Sequence, residues 1–270
     1  MPEAKAKECR CFQSPSRYMQ GPGLIQRLPK FAANFGKTAL LIIDPFFYDE
    51  FSVSVPKLFK AAGMKAYTVK FPGYIGHKEL NEMIDFVKTL PEVPDTFIGM
   101  GGGQTMDINK AVAATYRKNW ISFPTALTTD APTFTHSIIN NPGAQNELMF
   151  HFKNPDYVVV DTEITIKSPA WMLASGIGDA LATYIEAQAS SANNNVCNSG
   201  LDDYRPTMLG MAAAKLSYDI LLKDGIAAMR AARHAKVNIT LCCRGSLHLR
   251  AKQQNLLRIT ELDNLFSDRI

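Results

Sequence analysis

Apolar positions along this chain follow two alternating rhythms. Short apolar runs rich in β-branched residues predict strands at Thr38–Ile43, Lys65–Lys70, Asp95–Gly99, Trp120–Phe123 and Tyr157–Asp161. Between them, apolar residues recur every third or fourth position. That spacing predicts helices over Leu24–Asn34, Val55–Ala62, Lys78–Leu90 and Thr105–Tyr116. Strands alternating with helices imply βαβ units and hence a parallel sheet. Ser137-Ile138-Ile139-Asn140, the turn signal Asn141-Pro142-Gly143 and Leu148-Met149-Phe150-His151-Phe152 predict a hairpin over the edge of that sheet.

Past Asp161 the rhythm becomes helical. Ser168-Pro169 places a good N-cap before a proline at the first helical position. A short helix is expected over Pro169–Gly176 and another over Asp179–Ser190. Pro206–Leu222 carries Leu209, Ala212, Leu216 and Ile220 along one face and is expected to stop at Gly225. A weaker helix follows over Ile226–Val237.

Composition narrows the class. The 270 residues are 46% hydrophobic and 20% charged, as in a globular chain with a sizeable core. The net charge of +4 comes from scattered Lys and Arg, so no nucleic-acid partner is expected. No apolar run is long enough to span a bilayer, and Met1-Pro2-Glu3-Ala4-Lys5 opens no signal peptide, so no membrane partner is expected. Five cysteines without framework spacing suit a reducing, cytoplasmic compartment. Neither Cys9 with Cys11 nor Cys242 with Cys243 has a second Cys/His pair at zinc spacing.

The run Gly99 to Lys110, Gly-Met-Gly-Gly-Gly-Gln-Thr-Met-Asp-Ile-Asn-Lys, carries the most chemistry. Glycines between a strand and a helix let backbone approach a diphosphate, and the helix N-terminus offers free N–H groups to it. Gln104 in that turn can donate to a phosphate. Asp107 either complements the helix dipole or reaches the nicotinamide side of a dinucleotide. Asp44, ending its strand, either accepts ribose hydroxyls, which favours NAD over NADP, or caps the turn before Pro45. Phe123-Pro124-Thr125-Ala126-Leu127-Thr128-Thr129-Asp130 follows the next strand, so its hydroxyls and carboxylate are expected on the same rim. Asp179, among small residues at an expected helix start, is either an N-cap or a metal ligand. The resulting fold class is α/β. Residues 1–165 form an N-terminal parallel-sheet dinucleotide-binding domain, 166–237 an incomplete all-helical domain, and 238–270 a divergent tail.

Together these segments resemble the metal-dependent, iron-type alcohol dehydrogenase superfamily, and within it the glycerol dehydrogenases. The resemblance rests on the segments 14–21, Gly101-Gly102-Gly103-Gln104-Thr105-Met106-Asp107-Ile108-Asn109-Lys110, Thr129-Asp130-Ala131-Pro132, 154–161 and 174–183, in order. It implies NAD-linked oxidation of glycerol to dihydroxyacetone with zinc or another divalent metal. It also implies that Asp44, Gly102, Gly103, Gln104, Asp107, Thr125 and Thr128 hold NAD, that Asp130 meets the polyol, and that Asp179 ligates the metal. Gln104 stands where the family has lysine. Phe134, His136 and Asn140 replace a small polar, an aliphatic and an aromatic residue, and His136 is either a pH-sensitive group near the site or a surface or hairpin histidine. The resemblance also implies two metal-binding histidines from later helices, yet from about Asn238 the pattern is lost, as after a frame change, an altered splice or an imperfect gene model. An NAD-binding remnant without turnover is therefore the alternative reading, and the oligomeric state is left open between monomer and homo-oligomer.

Overall fold

A computed structural model of the chain describes residues 10–193 and 204–234. Its centre is a six-stranded, wholly parallel sheet of β2 (Arg17–Gly21), β3 (Thr38–Ile43), β4 (Lys65–Lys70), β5 (Thr96–Gly101), β6 (Asn119–Pro124) and β9 (Tyr157–Asp161). The spatial order is β2-β9-β6-β5-β3-β4. The short pair β1 (Arg10–Cys11) and β10 (Arg205–Pro206) is parallel, and the hairpin β7 (His136–Ile139) and β8 (Glu147–Phe150) is antiparallel.

Helices cover both faces, which is why β3 and β9 read as unbroken apolar runs. Successive side chains of a strand point to opposite faces. Leu41 and Ile43 therefore pack with Phe51, Val55 and Phe59 of α2 (Tyr48–Ala61) on one face. Leu40 and Ile42 pack on the other with α3 (His77–Thr89) and α4 (Gly103–Thr115), through Leu80, Met83, Ile108 and Val112. A short 3-10 turn at Leu24–Arg27 leads into α1 (Leu28–Ala32). The buried Asp161 carboxylate ties that turn to the end of β9, accepting the amides of Gly23 (3.2 Å), Ile25 (2.9 Å) and Glu163 (3.0 Å).

The described residues fall into two compact units. The sheet unit comprises 16–126 and 135–165. The helical unit comprises 10–15, 127–134 and the described residues from 166 onward. In the sheet unit a one-turn helix α5 (Thr162–Thr165) follows β9. In the helical unit α6 (Ala170–Ala192) packs against α7 (Met208–His234).

Several sequence expectations change. The helix expected over Val55–Ala62 begins at Tyr48 and runs through Pro56, because Phe51, Val55 and Phe59 anchor it to the sheet on both sides of the proline. The two helices expected around Gly176–Gly178 are one helix, so Asp179 lies in a helix interior and caps nothing. Gly225 does not end α7; it sits buried inside the helix, where a Cβ would make ordinary contact with Ile177 Cγ2 at 3.7 Å. The stripe that α7 buries is Gly210, Ala214, Ser217, Leu221, Gly225 and Ala228, while Leu209, Ala212 and Leu216 are exposed. The hairpin lies on α4, not over a sheet edge: Ser137 Oγ donates to the Asp107 carbonyl at 2.7 Å. The expected tail, 238–270, lies outside the described residues, as do Cys9, Cys242, Cys243 and His248.

Candidate functional site

Parallel strands deliver all their carboxyl ends to one rim, and the register brings three candidates together there. The Asp44 amide donates to the Met100 carbonyl at 2.9 Å, and the Thr125 amide donates to the Gly101 carbonyl at 3.0 Å. Asp44, the glycines and Thr125 thus end three laced neighbours, β3, β5 and β6. Asp44 is half-buried. Its Oδ1 accepts the Phe46 amide at 2.9 Å, and Thr105 Oγ1 lies 3.5 Å from its Oδ2.

The glycines of the elbow differ in why they are glycine. A Cβ on Gly101 would lie 2.5 Å from Thr105 Oγ1 and 2.8 Å from Asp44 Cβ, so the fold itself forbids a side chain. Gly102 is the N-cap of α4 in an ordinary extended conformation, φ −87° and ψ −169°, and a Cβ there would meet nothing within 4 Å. No side chain caps α4, so its first-turn amides face outward beside open space, with the exposed Gln104 among them. Gly102 and Gly103 therefore present bare backbone next to the Asp44 carboxylate.

Asp107, one turn further, is buried. It pairs with Lys110 Nζ at 2.8 Å, and its Oδ2 accepts the Ile138 amide at 3.3 Å. Burial pushes its carboxyl up from the usual range, against the pull of Lys110. Lys110 Nζ also donates to the His136 carbonyl. His151 Nε2 lies 2.8 Å from Ser137 Oγ, whose proton goes to Asp107 O, so the ring nitrogen is the donor. Both His136 and His151 are held down to a pKa of about 3, first by burial and then by the nearby Lys110 charge. His136 is therefore a hairpin histidine, one of the expected alternatives, but a buried and neutral one rather than a surface residue. Asn140 turns toward Ile75, its Nδ2 donating to that carbonyl at 3.1 Å.

In the helical unit, Thr128 and Asp130 are half-buried on the segment 127–134, whose second half is buried. Asp130 forms a turn: its carbonyl accepts the Thr133 amide and hydroxyl, both at 2.9 Å, and Thr129 Oγ1 lies 3.3 Å from its Oδ1. This segment rests on α6 at Gly176, where a Cβ would stand 2.2 Å from the Leu127 carbonyl oxygen and 3.3 Å from Thr128 Cα. Asp179 lies one turn beyond Gly176. Partial burial and then the Glu186 carboxylate, two turns along α6, push its carboxyl up. Among the described residues no three His, Cys, Asp or Glu side chains converge as a metal site.

Sequence reasoning missed Lys110, Phe46 and the seat at Gly176. Lys110 closed the glycine run without a role of its own, and no local pattern announces a backbone carbonyl arriving from 49 residues away, from Leu127 to Gly176.

Comparison with known proteins agrees with this architecture. The model of the iron-containing alcohol dehydrogenase family matches residues 15–162. The chain belongs to that family. Among curated relatives, it is 34% identical over 235 residues to a glycerol dehydrogenase of Thermotoga maritima, covering 84% of this chain and 61% of that protein. It is 34% identical over 230 residues to a glycolaldehyde reductase of Halobacterium salinarum, covering 84% and 61%. Among solved structures, a probable glycerol dehydrogenase from Sinorhizobium meliloti superposes with a TM-score of 0.82 at 28% identity, covering 95% of this chain and 68% of that one. The chain spans about three fifths of the length of the curated relatives it matches. No described helix is long and apolar enough to cross a membrane.

Proposed function

We propose that this protein binds NAD on the rim of its sheet and is a polyol dehydrogenase, oxidising glycerol at its secondary hydroxyl to dihydroxyacetone in the cytoplasm. The observation that carries the proposal is Gly102. No described atom stands within 4 Å of a Cβ at that position, so the bare backbone leaves room for a ligand to approach it. An uncapped helix N-terminus beside it supplies outward N–H groups and partial positive charge, which suit a diphosphate. Asp44 retains exposure for ribose hydroxyls and would repel a 2′-phosphate.

Bound NAD would supply the hydride acceptor for the carbon bearing the alcohol, and the hydroxyl proton would leave to solvent. The chain's own residues bind and orient. Gly102, Gly103 and Gln104 hold the diphosphate, Asp44 the adenosine ribose, and Thr125 and Thr128 supply hydroxyls. Asp107 acts from behind, fixing the hairpin to α4. Asp130 accepts a hydrogen bond from the polyol, so an alcohol lacking the vicinal hydroxyl forgoes that contact. The divalent ion implied by the family does not fit the described residues, because Asp179 has only the Glu186 carboxylate two turns along its helix and no third ligand converges there, where a catalytic zinc takes about three.

That same observation favours a second reading, in which the chain binds NAD without turnover. Calorimetric titration with NAD, followed by an assay for NADH formation from glycerol with added zinc, tests both. NAD uptake with NADH formation supports the first reading, and uptake alone supports the second. Absence of uptake contradicts both.

A further inference from the structure

Phe46 is the most exposed large apolar side chain of the described sheet unit, at 86%. It is not a loose one. Its amide is held by Asp44 Oδ1 at 2.9 Å, and the next amide, of Phe47, donates to the Asp44 carbonyl at 3.0 Å. Its ring meets Phe47 edge to face, with centroids 4.9 Å apart and planes at 78°. Phe47 in turn stacks on Phe51, also at 4.9 Å, and Phe51 is buried in the core. An anchored aromatic column thus rises out of the core and ends in a bare ring, two residues beyond the half-buried carboxylate at the rim.

We propose that Phe46 is the platform for the adenine base of the bound dinucleotide. The proposal rests on the dinucleotide reading above and deepens it. A ribose carries its base on the carbon next to its 2′-hydroxyl. A carboxylate that accepts the ribose hydroxyls therefore places the base within a ring's width of itself. The ring at that distance is Phe46, because the carboxylate that takes the ribose also holds the Phe46 amide. Stacking needs only a flat π-face, and Phe46 offers one that its own fold leaves uncovered.

The test uses the full chain and three variants, Phe46→Ala, Phe46→Tyr and Phe46→Trp, titrated with NAD and with AMP. Because the side chain is exposed, all variants are expected to melt as the parent does. Alanine is expected to weaken both ligands about tenfold, within the range for loss of one stacked base, and tyrosine to restore them. The added indole emission of Phe46→Trp is expected to be quenched by AMP. Unchanged NAD and AMP affinity in Phe46→Ala, or unchanged indole emission at saturating AMP, overturns the proposal while leaving the dinucleotide reading intact. Loss of self-association in Phe46→Ala with nucleotide affinity unchanged overturns it in favour of a protein contact. If the parent chain takes up neither NAD nor AMP, the dinucleotide reading itself fails and the platform with it.

Discussion

The Lys110 ammonium and the Asp107 carboxylate face each other at 2.8 Å on one turn of α4, both out of reach of solvent. Between them they hold three successive hairpin residues: Lys110 takes the His136 carbonyl, the Asp107 backbone takes the Ser137 hydroxyl, and Asp107 Oδ2 takes the Ile138 amide. Removing one charge strands the other in the interior, and breaking a buried pair costs about 3–5 kcal/mol. Lys110→Met is expected to lose roughly that much stability in urea denaturation. The double variant Asp107→Leu with Lys110→Met is expected to lose less than the sum of the singles. A loss below about 0.5 kcal/mol in Lys110→Met would show that the pair does not hold the hairpin.

The two neutral histidines beside that pair make the sheet unit sensitive to mild acid. In the unfolded chain an imidazole titrates near ~6.5, whereas in the native protein His136 and His151 each titrate at about 3. Between those values the unfolded state binds more protons, so stability is complete above ~6.5 and falls as pH drops toward the native value. Each histidine contributes a slope of about 1.4 kcal/mol per pH unit. The urea midpoint is expected to fall between pH ~7 and ~5, and His151→Gln to flatten that dependence. A midpoint unchanged across the interval counts against buried neutral imidazoles.

Gly102→Ala separates folding from binding. The methyl group enters open space at an ordinary backbone conformation, so the melting temperature is expected to hold. The same methyl occupies the place proposed for the diphosphate, and NAD affinity is expected to drop by at least about tenfold, or ~1.4 kcal/mol. Parent-like affinity in calorimetry would move the ligand elsewhere.

Gly176→Ala has the opposite character. Its Cβ would stand 2.2 Å from the Leu127 carbonyl oxygen, so the segment bearing Thr128 and Asp130 must shift. Overpacking of this kind costs about 1–3 kcal/mol. Hydrogen exchange is expected to accelerate across 127–133, and unaltered protection there would mean that the seat yields without disturbing the segment.

Metal content provides an independent check. A catalytic zinc needs about three protein ligands, and no such group converges among the described residues. The purified chain is expected to carry well under one zinc ion, measured by elemental mass spectrometry. A stoichiometric ion would restore the metal-dependent reading.

The legible parts of the sequence were those where one physical cause acts locally. β3 and β9 showed themselves because burial on both faces leaves only apolar residues. The glycine elbow showed itself because a strand, a bare turn and a helix follow one another without interruption. The edge strand β2 did not. With a neighbour on one side only, Arg17-Tyr18-Met19-Gln20-Gly21 has no need of an apolar run. Gly176 and Gly225 read as helix breakers because sequence alone does not show whether a glycine serves a turn or a close approach. Gly176 serves approach, to the Leu127 carbonyl, and Gly225 lies inside α7 beside Ile177. Asp107 read as a site residue for its place behind the glycines, but its carboxylate is spent on Lys110, which only the folded turn reveals.

The bond from Asp161 to the start of the chain sets an order on biosynthesis. Its carboxylate meets amides 138 and 136 residues earlier, and the whole of β2 pairs with β9. A ribosome must therefore release nearly the entire sheet unit before β2 finds its neighbour. Until then Met19 and its companions wait beside an unclosed edge, where a nascent chain is open to capture by chaperones.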